Sequence, residues 1–465
     1  MQQELSSSVI QSYAQRFASD PSSKTRMNAI VKSGIEAVAA DWESQRRMRY
    51  DFSVEVETGE ITNQKASGRC WMFAALNMMR MEVMKKCELE TFELSQNYPL
   101  FWDKLERANY FLETILDTLD EPLEGRLMHF LLQNPLEDGG QWDMFSNLIK
   151  KYGAVPKAWM PETYHSSNTG MMNRMLRLKL RIHAATLREN KESGCDLESL
   201  RNMKENAMYE MYQILVECLG VPPKEIVFEY RVKPKKEDIK EPMQETKSGA
   251  VKSQFFRDEP LSPVQFYEKY IGLNLDEYIN LINVPSADKP FDKTFIVANL
   301  GNVWEGAPVK YLNVEMSVMK QAIIAQLQDG LPVWFGCDIS QMLNQEWGVM
   351  DMGGFDYQAA LGSAFDFSKA HRLAYGDSLL THAMLFVGVN LDETGVPNRW
   401  KVENSWGEKT GNKGWYIMDD KWFDLFTYQA VIHRKYLCVS VLANWSQNPI
   451  VLKPWDPMGT LAKMR

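Results

Sequence analysis

The sequence predicts an α+β protein in which a helical half precedes a strand-rich half. Three observations carry that reading. The run from Trp71 to Met84 is almost wholly apolar, broken only by Asn77, Arg80 and Glu82, and it closes at Lys85-Lys86 without a proline or glycine. That is the pattern of a helix buried over most of its circumference. Late in the chain, short apolar runs recur at 333–338, 382–389, 400–403 and 415–418, punctuated by a 392–397 loop, Gly411 and Gly414. They read as strands joined by turns. Between the halves lies a long stretch, 166–310, whose first part (171–219) is rich in Lys, Arg, Glu, Met and Leu and reads as helical.

The remaining elements follow in order. Val9, Tyr13 and Phe17 mark a short helix, Asp20-Pro21-Ser22-Ser23 a turn, and 27–38 a second helix. Phe52, Val54 and Val56 alternate as a strand. Residues 88–133 read as mostly helical, interrupted near Pro99 and Pro122, with Tyr110, Phe111, Ile115, Leu116 and Leu119 on one apolar face. Asp138-Gly139-Gly140-Gln141 is a turn whose glycine pair lets another group approach closely. Pro260 and Pro263 precede a helix over 266–282, and 314–327 is an amphipathic helix.

Composition narrows the function. With 465 residues, 45% hydrophobic and 24% charged, the chain is of ordinary globular type with two or three domains or one domain with large insertions. No apolar stretch reaches transmembrane length, and the start has no basic region followed by an apolar run, so neither a membrane span nor a signal peptide is expected. The six cysteines are scattered without a C-x-x-C pair, which points to a reducing, cytoplasmic setting rather than disulfides or zinc. A net charge of −9 does not favour nucleic acid, and acids interleave the basic residues of the 233–240 run. No H-E-x-x-H, G-x-S-x-G or P-loop pattern occurs, so no metal or cofactor is expected.

The chemistry centres on Cys70, which follows the small-residue loop Ala66-Ser67-Gly68 and opens the apolar helix. A helix N-terminus favours an anion and is expected to lower the thiol pKa. The alternative is a structural cysteine, the commoner fate of a buried thiol. A cysteine nucleophile needs a histidine base and a group that orients it. His382 begins one strand and Asn404 ends another, so neighbouring strands bring them together. Gln64, six residues upstream of Cys70, supplies an amide N–H which, with the Cys70 backbone N–H, makes an oxyanion hole. His129, His165, His183, His371 and His433 lack motif context and read as surface or core.

Asn63-Gln64-Lys65-Ala66-Ser67-Gly68-Arg69-Cys70-Trp71, then His382, then Asn404-Ser405-Trp406-Gly407 resemble the papain-like cysteine peptidases, and within them the bleomycin hydrolase and bacterial aminopeptidase C family. The resemblance implies a papain-like fold: an N-terminal extension over 1–60 that stays on the protein, a helical half over 61–165, an oligomerisation insertion over 166–310, a β-rich half over 311–452 and a C-terminal arm over 453–465. His382 lies 312 residues after Cys70 (382 less 70), against roughly 130–150 in small papain-like enzymes, and the insertion accounts for the excess. The resemblance also implies that Gly139 and Gly140 line the cleft and that Trp406 shields the His–Asn bond. The arm would lie in the cleft, with a terminal carboxylate near Ala462 pairing with the α-amine of a peptide. That makes a broad-specificity aminopeptidase with bleomycin hydrolase-like activity, acting on peptides with a free N-terminus and assembled as a homohexamer. Lys463-Met464-Arg465 run beyond the family's usual end and imply trimming or a different seat for the arm. An open-cleft endopeptidase, an acyltransferase and a non-catalytic scaffold are the alternatives.

Overall fold

The computed structural model describes residues 4–232 and 254–461; the 233–240 charge run, Ala462 and the three residues after it lie outside the described residues. Helix Cys70–Lys86 runs through the middle of the molecule, and every residue from Cys70 to Arg80 is buried. Its N-terminal turn is held by the sheet, where the Trp334 indole N–H donates to the Trp71 carbonyl at 3.1 Å. Helix Asn97–Asp117 carries Pro99 as its third residue. A first-turn proline has no intrahelical hydrogen bond to lose, so Pro99 starts this helix and does not interrupt it. Helices Gly170–Glu192 and Leu197–Leu219 pack against it.

Three expectations need correction. The 27–38 helix is two pieces, Ser23–Ser33 and Ile35–Ala39, because Gly34 adopts φ +83° between them. The 52–56 strand is regular only at Val54–Glu55, with one more backbone hydrogen bond from Val56 N–H to Val387 O at 2.7 Å. The expected 266–282 helix stops early: Pro263–Phe266 continues as a π turn to Ile271 and ends at left-handed Gly272. Tyr278–Ile282 is then a fully buried strand. An apolar run this short cannot be assigned by periodicity alone, and the tyrosine and isoleucines suit a sheet. With Lys293–Val297 it joins the main sheet, so the strand-rich half starts before residue 311 and the 166–310 stretch is helical only in its first part.

The main sheet has twelve strands among the described residues. Strand His382–Leu391 lies between Val333–Cys337 and Pro397–Glu403, antiparallel to both, with His382 opposite Cys337 and Leu385 opposite Glu403. Val54–Glu55 pairs with its far end at Val389 and Gly388. A side chain at Gly388 would bring its Cβ within 2.8 Å of the Val54 carbonyl oxygen, so this junction requires glycine. The N-terminal segment is tied to the same half: Ala40 bridges Phe355 and the Ser44 hydroxyl donates to Asp351 at 2.5 Å. At the other end, Ile450–Leu452 runs parallel to Lys293–Val297, and the chain turns through Pro457–Gly459 with Met458 buried.

Candidate active site

The loop before Cys70 is clamped from several directions. Its backbone pairs with the segment after Asn404: Gln64 N–H donates to Ser405 O at 2.8 Å, and Asn63 bridges Trp406. The Gln64 amide is oriented at both ends, its Oε1 accepting from the Ser405 hydroxyl at 2.7 Å and its Nε2 donating to Ser67 O at 2.6 Å. Arg69 is wholly buried and grips the Glu162 carboxylate with both terminal nitrogens, at 2.9 and 2.7 Å, while its Nε donates to the Ser67 hydroxyl at 2.9 Å. Such a planar fork holds its partner more rigidly than a lysine would. Gly68 N–H donates to Asp138 at 3.1 Å.

Across the interface between the halves, His382 Nε2 lies 2.9 Å from Asn404 Oδ1. The same oxygen accepts the Ser405 N–H at 2.8 Å. It is therefore an acceptor toward the imidazole, and Nε2 carries the proton. Nδ1 is left with its lone pair, buried and without a hydrogen-bond partner among the described residues. The Trp406 ring packs over the imidazole, 5.0 Å between centroids. The Ala383 backbone N–H, next along from His382, reaches the Cys70 sulfur. The strand leading to Asn404 is anchored by buried Glu403, which accepts from Asn77 at 2.6 Å, from Arg80 at 3.1 Å and from the Thr58 hydroxyl.

Burial acts against charge on both members of this pair. Desolvation pushes the Cys70 thiol up to about 12, although the N–H groups of Ala383, Trp71 and Cys70 itself act in the opposite direction. It lowers His382 to about 4, although the Asn404 hydrogen bond opposes the shift. The helix N-terminus thus has the expected sign, but desolvation outweighs it, so the thiol lies above its ordinary value and not below it as expected.

Gly139 and Gly140 are both buried. The Gly139 carbonyl accepts from Arg107 at 2.6 Å, and Arg107 is itself held by Asp103. The close approach that Gly140 permits is by the Trp71 indole, whose ring atoms would lie 2.5–2.6 Å from an added Cβ. Asp138, which the sequence reading passed over, links both sides. Although burial raises its pKa, the charge of Lys104 and hydrogen bonds from Lys104, Thr169 and Asn173 hold it well below the usual carboxylate range. Nothing in the spacing of those four residues announces the cluster. The arm lies alongside: Gln141 Nε2 donates to Thr460 O at 2.6 Å, Lys289 pairs with Asp456 at 3.1 Å, and the Arg126 guanidinium sits 4.0 Å from the Trp455 ring centre. Leu461 and Thr381 line the same cavity of about 390 Å³. The structure therefore gathers Cys70, His382, Asn404, Gln64 and Trp406, with the arm beside them.

A cysteine at a helix N-terminus facing a His–Asn pair on a sheet, with a glutamine in the preceding loop, defines the papain-like class of cysteine peptidases. The chain belongs to the peptidase C1-like family, whose model matches residues 4–459. It is 45% identical over 462 residues to Aminopeptidase C of Listeria innocua, covering 99% of this chain and 100% of the relative. Bleomycin hydrolase of Gallus gallus is 40% identical over 422 residues, 89% of each chain. The crystal structure of PepW from Lactobacillus rhamnosis HN001 superposes with a TM-score of 0.93 at 44% identity, covering 99% of this chain and 100% of that one.

Proposed function

We propose that the protein is a cysteine aminopeptidase of broad specificity, with bleomycin hydrolase-like activity, and that Cys70, His382, Asn404 and Gln64 are its catalytic set. The observation that carries the exopeptidase part is the arm, bound through Thr460 O to Gln141, one residue from Gly140. In this reading Cys70 Sγ attacks the peptide carbonyl as its proton passes to His382 Nδ1, and the imidazolium then protonates the departing amine. Water hydrolyses the resulting thioester with the same nitrogen as base. The Cys70 N–H and the Gln64 amide hydrogen not used by Ser67 O stabilise the oxyanion. Asn404 holds the imidazole plane and Trp406 keeps water from that bond. Gly139, Gly140 and Ala462 border the substrate's amino end, and a carboxylate on the arm pairs with the free α-amine. The test is a peptide against its N-acetylated form. Residues should leave the free peptide one at a time from the amino end, and the blocked peptide should persist. Internal cleavage of the blocked form would reject the reading in favour of an open-cleft endopeptidase.

The reading extends to assembly and location. Helix Ser7–Ser19 buries none of its residues, and its Val9, Tyr13 and Phe17 are exposed. Met171, Met175, Leu178 and Ile182 form a second exposed apolar stripe on helix Gly170–Glu192. Stripes of this kind are covered in an oligomer, here a homohexamer. Light scattering at micromolar concentration should give the mass of six chains, and a single-chain mass would refute it. No helix of the described residues is long and apolar enough to cross a membrane. All six cysteines are free of disulfides, which supports a cytoplasmic site of action.

A further inference from the structure

A cavity of about 640 Å³ opens beside Thr381 and Trp406 on one side and reaches Glu36 and Ala37 of the N-terminal segment on the other. Its floor is the 339–347 segment, with Glu346 and Trp347. It shares Thr381 with the arm-side cavity, but none of the described residues of the arm lines it. The two cavities meet at Thr381, next to His382 in the chain, and the described part of the arm borders only one of them. A peptide whose amino end faces the arm has a route past Trp406, which borders both this cavity and the one along the 63–68 loop. The part of the substrate downstream of the scissile bond then enters the larger cavity, against the N-terminal segment.

The lining gives this seat a chemical character. Glu36 and Glu346 supply two carboxylates, and among the described residues no lysine or arginine lines the cavity. Trp347, Phe355 and Trp406 supply apolar surface. Lysine and arginine side chains suit such a wall, because their stems pack on apolar surface while the charged end reaches a carboxylate. Helix Ile35–Ala39, which carries Glu36, is held in place by the Ala40–Phe355 bridge. We propose that the N-terminal segment and the 339–347 segment form a downstream specificity site that favours lysine or arginine in the second and third positions of the peptide. This rests on the aminopeptidase reading, and an aminoacyl nitroanilide separates the two, since it has an upstream residue but no downstream peptide.

The experiment uses the full-length protein and three substrates with one shared N-terminal residue: the nitroanilide, a tripeptide continuing Lys-Lys and one continuing Glu-Glu. The wild type should prefer the Lys-Lys peptide. Glu36→Gln with Glu346→Gln should raise KM for that peptide about threefold, the scale of a solvent-facing charge pair, and 1 M salt should remove the difference. Ala37→Trp, which fills the cavity from an exposed position, should raise KM for both peptides by about tenfold, the scale of losing a buried apolar contact. Nitroanilide hydrolysis should be unchanged in every variant. If the peptides respond no more than the nitroanilide does, the downstream site is rejected. If the wild type fails on the free-amine nitroanilide itself, it is the aminopeptidase reading that falls.

Discussion

Cys70→Ala is expected to reduce peptide hydrolysis to the uncatalysed background. Cys337 stands opposite His382 in the strand register, but it ends the sheet strand Val333–Cys337 and lacks the helix N-terminus and the Gln64 loop that serve Cys70, so it offers no replacement nucleophile. Asn404→Ala should keep substrate binding and lower kcat by about 10²–10³-fold, because it frees the imidazole to rotate and to lose the tautomer that leaves Nδ1 basic. The pH profile distinguishes this from a folding defect. With His382 lowered by burial to about 4, the acid limb of kcat/KM should lie well below the ordinary histidine range. Removing the Asn404 hydrogen bond, which raises that pKa, should move the limb lower still. The same shift makes a stability prediction of definite sign. The unfolded chain takes up a proton near 6.5 that folded His382 refuses until about 4, so the wild type loses stability as pH falls through that window. Undiminished hydrolysis by Cys70→Ala would overturn the assignment of the nucleophile.

Deleting residues 459–465 is expected to convert the exopeptidase into an enzyme that also cuts blocked and internal bonds. The deletion removes Thr460, and with it the hydrogen bond to Gln141, and Leu461, one wall of the arm-side cavity. Preference for a free amino terminus over its acetylated form should fall by about 10–100-fold, the scale of losing one hydrogen bond to a charged group. Hydrolysis of N-blocked peptides should rise from background. The fold should survive, because Ile450–Leu452, Trp455 and Met458 keep their contacts with the body of the protein. A truncated enzyme that keeps its free-amine preference would show that the arm is not the specificity device.

Much of this site could be read along the chain. The nucleophile motif, the histidine before an apolar run and the Asn-Ser-Trp-Gly sequence are each continuous, and continuous patterns are visible without a fold. The helix Cys70–Lys86 has the bounds its composition announces, since nothing but the paired lysines ends its apolar run. The late strands His382–Leu391, Pro397–Glu403 and Trp415–Asp419 likewise fall on the runs that predict them. Segments where local signals conflict were not legible. Tyr278–Ile282 satisfies helix and strand templates equally, and its place beside Thr427–His433 in the sheet settles which is formed.

What the sequence determined by itself, then, is the identity and order of the candidate groups Gln64, Cys70, His382 and Asn404 and the helical and strand segments that carry them, because these rest on local pattern. The tertiary structure decided everything that depends on distant residues meeting in a low-dielectric interior. Asp138 with Lys104, Thr169 and Asn173, Glu403 with Thr58, Asn77 and Arg80, and Arg69 with Glu162 are pairings across long stretches of chain, and no spacing rule foretells them. The upward shift of the Cys70 thiol belongs to the same class. A helix N-terminus argues locally for thiolate, but the cost of burying charge depends on every surrounding atom, and in this fold it outweighs the helix.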